Sequence, residues 1–288
     1  MKQQNHRPEN QALAVIKRMS DNKAAVIGLI VFILLVAMAI LAPFIAPYDA
    51  TAMDFTAMFA KPNAAHWFGC DELGRDILSR VLIGARYSLV IGLGSVGLSI
   101  VFGLVLGSLA GFFGGWVDNI IMRFLDIFSS IPGMLMAIVI SAVLGSGFFN
   151  CILAISVSTM PQYVRILRAS IMSIRNMDYL EAASSLYNCS KLRITLRHIL
   201  PNSLSSLIVT ATMGVASAIL MAAGLSYVGL GVQPPMPEWG ALLSGARSYL
   251  RDYPHLVIFP GIVLAITSLC LNMLGDGLRD ALDPKLKK

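Results

Sequence analysis

Charged residues are scarce in this sequence, and long stretches contain none of them. Asp, Glu, Lys and Arg make up only 13% of the 288 residues, whereas they make up roughly 25% of a soluble globular domain. None of the four occurs in five stretches, which are 24–46, 87–117, 127–164, 198–237 and 253–275. Together with a mean hydropathy of +0.72, these absences exclude a soluble globular protein and predict lipid as the surrounding solvent.

Several chemical signatures are also missing, and each absence narrows the function. No phosphate-binding loop of the form G-x-x-x-x-G-K-[ST] occurs, so a separate subunit has to bind ATP if the protein uses it. Asp and Glu are absent from the apolar stretches, and the four histidines lie near or beyond their ends. This distribution argues against a proton-coupled carrier and an intramembrane hydrolase. The four cysteines fall in different compartments and predict no disulfide framework.

The apolar stretches predict six transmembrane helices, because each span needs about 20 apolar residues. The first, second and last stretches hold one helix each. The stretch 127–164 is too long for one span and is interrupted at Gly145-Ser146-Gly147, which predicts a hairpin of two spans. Within 198–237, only about Leu204–Leu225 is expected to span, because Pro201 precedes it and a Gly/Pro-rich run follows it.

Lys and Arg are distributed unevenly between the two sides of the predicted membrane domain. If the N-terminus is cytoplasmic, the inner segments carry 16 of them and the outer segments carry 6, so both termini are predicted inside. The same excess beside the anionic inner leaflet explains the net charge of +6 without nucleic-acid binding. The run 24–46 is longer than the core of a cleavable signal, and we interpret it as an uncleaved anchor. Asp118, Arg123 and Asp126 fall in a short inner connection, where they can pair with one another.

The inner segment between the fourth and fifth spans carries the strongest functional pattern. Asp178 and Glu181 have the spacing of a capping box, which predicts that a helix begins at Asp178. Asn188 can adopt the left-handed conformation that ends this helix, and Ser190 can cap a second, basic helix. The first helix presents the small residues 182–185 between larger ones. We interpret the segment as a cytoplasmic docking element for another protein, with a passive connector as the alternative.

Several motifs, in order, resemble those of one family. Glu181-Ala182-Ala183 followed by His198-Ile199-Leu200-Pro201 resembles the EAA signature of ABC importer permeases, whose short helix docks into a cleft on the ATP-hydrolysing subunit. The outer run Phe68–Arg80 resembles the F-G-T-D-x-x-G-R-D-x-x-S-R stretch of the di- and oligopeptide and nickel permeases, specifically of the second permease subunit of their pair. Three further runs resemble the same subfamily: Leu225–Pro235, Glu238-Trp239-Gly240 and Gly275–Pro284. The resemblance covers nearly the whole chain.

Two features depart from the family pattern. The docking loop contains no glycine, Pro201 comes one residue late, and Tyr187-Asn188 takes the place of the usual glycine. Cys70 stands where the family usually has Thr. His66, Cys70 and Asp71 are residue types that can ligate nickel or zinc, but their spacing alone is a weak signal. We interpret this run as a structural outer loop and predict no metal site.

The resemblance implies an all-α integral membrane protein with the type I ABC importer permease architecture, six transmembrane helices and cytoplasmic N and C termini. The expected divisions are a basic cytoplasmic segment (1–23), the first transmembrane helix (24–46), an outer loop (47–85), a core permease domain (86–280) with its coupling loop at 171–203, and a cytoplasmic tail (281–288). The residues expected in the ATPase-coupling loop are Asp178, Glu181, Ala182, Ala183, Asn188, Arg193 and Pro201.

Polar residues inside the spans are candidates for the solute path, because such side chains are costly when they face lipid. The candidates are Ser141, Asn150, Ser158, Thr159, Gln162, Ser206 and Thr210. On the outer side, the residues expected in the outer loop or in contact with a binding protein are Trp67, Asp71, Arg75, Asp76 and Trp239.

The implied function is import of di- or oligopeptides by alternating access, with import of nickel or a metal chelate as the alternative. A membrane scaffold without transport activity is the alternative of another class. The expected partners are a homologous second permease, two ATP-binding subunits, an extracytoplasmic solute-binding protein and membrane lipid, with no nucleic acid. No catalytic site and no cofactor are expected on this chain, because ATP and Mg²⁺ are expected on the partner subunits. The expected location is the plasma membrane of a bacterium or archaeon.

Overall fold

The computed structural model describes residues 17–175 and 199–282. These residues form an all-helical bundle, as the sequence predicts, with one isolated β-bridge between Cys70 and Asp76. The α-helices are α1 (Lys23–Ile45), α2 (Ile77–Phe102), α3 (Ser108–Phe113), α4 (Gly115–Ser129), α5 (Gly133–Leu144), α6 (Phe148–Arg175), α7 (Leu200–Tyr227), α8 (Trp239–Ala246) and α9 (His255–Leu282). A π-helical turn, Gly103–Gly107, joins α2 to α3, and short 3₁₀ helices occur at Phe55–Ala57 and Arg247–Tyr249.

Four helical segments are long and apolar enough to cross a membrane: Lys23–Ile45, Ile77–Phe113, Ser203–Tyr227 and His255–Leu282. A fifth span results if α4 and α5, which meet at an angle of 86°, are counted as one. Helix α6 has 28 residues, but polar side chains such as Gln162 and Arg165 make it less apolar than the other long helices. Length and composition therefore give four to five spans within the described residues, fewer than the six that the sequence predicts.

Side-chain caps fix where α1 and α2 begin. Asn22 Oδ1 accepts hydrogen bonds from two backbone amides in the first turn of α1, at 3.1 and 3.3 Å. Asp76 Oδ2 accepts from the backbone amide and the hydroxyl of Ser79, at 2.8 and 2.7 Å. Such caps satisfy amides that have no partner within the helix. Helix α2 consequently begins at Ile77, inside the stretch 47–85 that the sequence assigns to the outer loop.

Helix α7 lies at the centre of the bundle and packs against α2, α6, α8 and α9. The contacts bury Ile91 of α2, Ile155 of α6 and Ile219 of α7 completely. Helix α1, by contrast, exposes large apolar side chains such as Ile40 and Phe44 along its outer surface. A helix that faces lipid presents such a surface, because the hydrocarbon is the solvent for these side chains.

The first and last helices run side by side in opposite directions. Asn22 Nδ2 donates to Asp280 Oδ2, and Arg18 Nη1 donates to the carbonyl of Ala281, both at 3.4 Å. The start of α1 and the end of α9 therefore lie at the same end of the bundle, which we call the terminal end. The opposite end, formed by residues 46–76 and α8, is the loop end.

Glycines bring α2 and α3 unusually close to α6. A Cβ atom at Gly107 would lie 2.9 Å from the carbonyl oxygen of Val164, and one at Gly111 would lie 2.8 Å from Ile171 Cγ2. Glycines spaced four residues apart allow this close approach between membrane helices. The π-helical turn lies in the same contact with α6.

Candidate functional site

An ion-paired loop covers the loop end of the bundle. Arg75 donates through Nε to Asp71 Oδ2 at 2.7 Å and through Nη2 to Glu72 Oε1 at 3.1 Å. His66 Nδ1 lies 3.0 Å from Asp76 Oδ1. Asp71, Arg75 and Asp76 are all buried. Because removing one partner of a buried pair is costly, these side chains stabilise the loop on α2, which fits the first of the two roles expected for them, in the outer loop or in contact with a binding protein.

Cys70 is fully buried within this loop. Desolvation, together with the nearby carboxylates of Asp76 and Asp71, raises the pKa of its thiol to about 11. Without a metal, the thiol is therefore protonated at neutral pH. His66 and Asp71 are engaged with Asp76 and Arg75 instead. In the part of the chain that the structure describes, no group of three or more His, Cys, Asp or Glu side chains is placed to hold a metal ion.

Large apolar side chains are exposed on the segment between α1 and α2. Trp67 exposes 69% of its surface, and Met53, Phe55 and Met58 are also exposed. An open cleft of about 700 Å³ lies between the end of α1, the start of α2 and residues 235–237. Exposed apolar patches outside lipid mark interaction sites. Trp67 is the only one of the five predicted outer-contact residues whose side chain is exposed.

Glu238 fixes α8 against α2 and α7. Its side chain is completely buried. Oε1 accepts hydrogen bonds from Ser88 Oγ at 3.2 Å and from the backbone amide of Gly240 at 2.8 Å. Oε2 accepts from Ser226 Oγ and from the backbone amide of Ala241, both at 2.9 Å. The carboxylate therefore joins three helices through four hydrogen bonds.

Trp239 follows Glu238 and is also completely buried. Its indole Nε1 donates to the carbonyl of Val81 at 3.0 Å. The indole ring thus fills the space between α8 and α2. The predicted contact of Trp239 with a binding protein is therefore not supported by its position. Sequence reasoning gave Glu238 no role, although a carboxylate directly before an apolar helix is a signal for a helix cap.

The predicted path residues near the hairpin between α5 and α6 differ in exposure. Ser141 is fully buried and donates to the carbonyl of Leu230 at 2.8 Å. Asn150 donates to the carbonyls of residues 144–145, at 2.8 and 3.1 Å, and so stabilises the turn between α5 and α6. Gln162, further along α6, is exposed.

The remaining path candidates are mostly bonded to their own helices. Ser158 and Thr159 donate to the carbonyl one turn earlier in α6, at 2.8 and 2.9 Å. Thr210 donates to the carbonyl of Ser206 at 3.0 Å, while the Ser206 residue is itself exposed on α7. Such backbone bonds are common for hydroxyl side chains in helices. Of the seven candidates, Gln162 and Ser206 are those that the chain leaves exposed.

Two ion pairs join α4 to α6 toward the terminal end. Arg168 binds Asp118 with both arms of its guanidinium, through Nε to Oδ1 and through Nη2 to Oδ2, the latter at 2.5 Å. Arg165 Nη2 donates to Asp126 Oδ1 at 2.9 Å. In the sequence, Asp118, Arg123 and Asp126 fall in a short inner connection, where they can pair with one another. The connection is instead the 15-residue helix α4, and its two carboxylates pair with arginines of α6.

The predicted coupling loop 171–203 lies partly within the described residues. Helix α6 is described as far as Arg175, and Pro201 lies in the first turn of α7. The other predicted coupling residues lie outside the described residues; they are Asp178, Glu181, Ala182, Ala183, Asn188 and Arg193.

The bundle has the fold of the membrane subunit of an ABC importer. The structure of the methionine transporter MetNI in an inward-facing conformation superposes with a TM-score of 0.57 at 19% identity, covering 72% of this chain and 98% of that chain. An amino acid ABC transporter solved with histidines superposes with a TM-score of 0.56 at 14% identity, covering 69% and 92%.

Sequence similarity defines the family. Residues 103–288 match the family described as "Binding-protein-dependent transport system inner membrane component", and residues 12–62 match the "N-terminal TM domain of oligopeptide transport permease C". The chain belongs to this family of ABC importer permeases, in its dipeptide and oligopeptide group. It is therefore a multi-pass inner-membrane transport subunit, and its family is not a family of enzymes.

Three relatives show how closely the chain follows the group. It is 46% identical to the glutathione transport system permease protein GsiD of Pectobacterium atrosepticum, over 92% of this chain and 87% of that protein. It is 42% identical to the dipeptide transport system permease protein DppC of Alkalihalophilus pseudofirmus, over 97% and 94%. It is 45% identical to the di/tripeptide transport system permease protein DppC of Pseudomonas aeruginosa, over 93% and 90%. The family resemblance inferred from the motifs is confirmed.

Proposed function

We propose that this chain forms half of a path through which di- and oligopeptides enter the cell, in an ABC importer supplied by an extracytoplasmic binding protein. The observation that carries the proposal is identity of 42–46%, over more than nine tenths of the chain, with relatives named for transport of glutathione, dipeptides and di/tripeptides. All three names refer to short peptides, so one substrate class accounts for them.

The proposed topology has six spans, with α6 as the span that composition alone does not reveal. Its 28 residues extend about 42 Å at 1.5 Å per residue, which is enough to cross the hydrocarbon. Two of its three arginines, Arg165 and Arg168, lie in its second half and are paired with carboxylates of α4, and the third, Arg175, is its last described residue. Charges that are paired near the end of a span are compatible with insertion. The excess of Lys and Arg on one side favours a cytoplasmic position for the terminal end.

The segment between α6 and α7 is the proposed docking site for the ATPases. Helix α6 enters it and α7 leaves it at the terminal end, so the segment connects two central helices on the proposed cytoplasmic side. Two separate ATP-binding subunits would hold ATP and Mg²⁺. Their closure would displace the segment 176–198, which in turn would tilt the membrane helices and open the path outward. Hydrolysis would return the helices to the inward-facing arrangement.

A homologous second permease is proposed to complete the path. Gln162 of α6 and Ser206 of α7 remain exposed on a single chain although they lie within membrane helices. An exposed amide is costly against hydrocarbon. The exposure of these side chains therefore favours a second subunit or a water-filled path beside them. At the loop end, the exposed Trp67 is the proposed contact for the binding protein.

Uptake by the reconstituted complex tests the function. The chain, its partner permease, two ATPases and the binding protein would be placed in proteoliposomes, with labelled dipeptide, labelled tripeptide and nickel as separate solutes. We expect ATP-dependent uptake of the peptides, lost in Glu181→Arg and retained in the matched variant Ser185→Ala. ATP-dependent uptake of nickel without uptake of peptides would show that the substrate is nickel rather than a peptide. A complex that takes up none of these solutes would contradict the proposal.

A further inference from the structure

We propose that Asp118 and Arg168 are positioning residues for energy coupling, through which movement of the ATPase-docking segment is transmitted to the membrane helices. This inference rests on the proposed function. The pair does not contact solute or nucleotide in the mechanism proposed above. Its role is to make α4 and the last part of α6 move as one body.

The geometry of the pair is that of a rigid joint. Arg168 presents two parallel N–H groups to the two oxygens of Asp118, the bidentate arrangement that fixes both distance and orientation. The Asp118 side chain is only 11% exposed and the Arg168 side chain 28% exposed. Asp118 also lies in the first turn of α4, where the helix dipole favours a negative charge. The joint is therefore held by local and tertiary interactions together.

The same two helices provide an internal contrast. Arg165 and Asp126 form a single hydrogen bond of 2.9 Å, and their side chains are 42% and 56% exposed. Exposed pairs of this kind contribute little, because water screens them and long side chains lose entropy on pairing. Both pairs connect α4 to α6. A difference between the effects of disrupting them therefore reports the contribution of burial and bidentate geometry.

The position of Arg168 on α6 explains why the joint affects coupling. It lies seven residues before Arg175, the last described residue of α6, which precedes the proposed docking segment. On the side of α3, Gly107 and Gly111 hold the same part of α6 at close packing distance. The last part of α6 is thus held by close packing and by an ion pair. A force applied beyond Arg175 would displace the helix as a body rather than unwind its last turns.

From α4, a displacement can reach the loop end through α5. The two helices are joined by a sharp bend, so α4 and α5 form one angled unit. Ser141 of α5 donates to the carbonyl of Leu230 at 2.8 Å, and the amide of Gly147 donates to the carbonyl of Gly231 at 3.1 Å. These carbonyls belong to the loop that precedes α8. The α4–α5 unit therefore contacts α6 toward the terminal end, and through Ser141 it contacts the loop that precedes α8 toward the loop end.

The test measures peptide uptake and ATP hydrolysis in the same proteoliposomes. We expect Arg168→Gln to keep basal ATP hydrolysis within about twofold of the wild type and to lower peptide uptake per ATP at least about tenfold, within the usual range of allosteric coupling. The matched variant Arg165→Gln should change neither value by more than about twofold. The exchange Asp118→Arg with Arg168→Asp should recover uptake per ATP to within about threefold, because the pair interaction is restored with its partners reversed.

The possible outcomes separate this inference from the proposed function. A wild-type complex without ATP-dependent peptide uptake overturns the proposed function, and the inference with it. A coupled wild type with unchanged uptake per ATP in Arg168→Gln overturns only the inference. Equal losses in Arg165→Gln and Arg168→Gln also overturn it, since the buried joint would then have no special role. If Arg168→Gln does not assemble with its partners, Arg168→Lys keeps the charge but not the fork, and uptake per ATP unchanged in that variant would refute the inference.

Discussion

Glu238→Gln isolates the contribution of one buried carboxylate to the architecture of the loop end. Each carboxylate oxygen accepts one serine hydroxyl and one backbone amide. A glutamine side chain has the same shape, but whichever way its amide is oriented, its NH₂ group faces one of these backbone N–H groups. That buried N–H is left without an acceptor, whereas the serine hydroxyls can rotate and accept.

The magnitude follows from this count. A buried donor without a partner costs about 1–3 kcal/mol, and the remaining hydrogen bonds weaken because they are no longer assisted by charge. We therefore expect a loss of about 3 kcal/mol in stability. For a chain of this size, that loss corresponds to a Tm lower by about 6–10 °C. Glu72→Gln is the matched control, because its side chain is 30% exposed and makes one bond of 3.1 Å to Arg75.

Thermal unfolding of the purified chain in nanodiscs, followed by tryptophan fluorescence, measures both variants. Trp239 adjoins the substituted carboxylate and is buried against α2, so its emission should shift to longer wavelength as the loop end opens. Glu72→Gln should lower the Tm by less than about 3 °C, in line with a partly exposed pair. Equal Tm values for the two variants would refute the assignment of Glu238 as the centre of this network.

Three further outcomes test other parts of the structure. Gly107→Leu should lower the Tm by several degrees in the same assay, whereas Gly97→Leu should not, because Gly97 is exposed and a Cβ atom there would meet nothing within 4 Å. In a background without the cysteine at position 189, Cys70 should resist maleimide at pH 7 and react faster as the pH rises toward its pKa of about 11; Trp67→Cys should label rapidly at pH 7, as read by mass spectrometry. Arg75→Lys should destabilise the outer loop by about 1–2 kcal/mol, because it loses a fork that bonds two carboxylates, and faster proteolysis of the loop would report this.

The bilayer sets the features that the sequence could predict. The charge-free run 24–46 coincides with α1, Lys23–Ile45, because a single apolar helix has to match the hydrocarbon thickness on its own. The start of α2 was not predictable in the same way. Arg80 lies in its first turn, and a charge there suggests a loop until the structure shows that Arg80 donates to the carbonyl of Ala50.

Helix α6 shows why hydropathy alone does not decide the number of spans. Its arginines reduce its apolar character, yet Arg165 and Arg168 have carboxylate partners on α4, 39 and 50 positions away in sequence. Composition scores a residue without its partner, so a paired arginine and an unpaired arginine count equally. The short inner connection shows the same limit, because sequence offers Asp118 and Asp126 a nearby arginine, whereas their partners lie on α6.

The outer tryptophans show the remaining limit most clearly. Trp67 and Trp239 were predicted in the same role, because both lie in loops beyond the spans and aromatic residues are common at interfaces. Only Trp67 is exposed. Trp239 is buried against α2, where its indole donates to the carbonyl of Val81, 158 positions away in sequence. The packing of α8 therefore decides which tryptophan remains free to bind a partner. Glu238 fixes that packing, because its hydrogen bonds join α8 to α2 and α7. The exposed surface at the loop end consequently depends on the buried carboxylate. Glu238→Gln should therefore also weaken the stimulation of ATP hydrolysis by the binding protein. Normal stimulation despite a lower Tm would show that the binding-protein contact does not depend on the packing around Glu238.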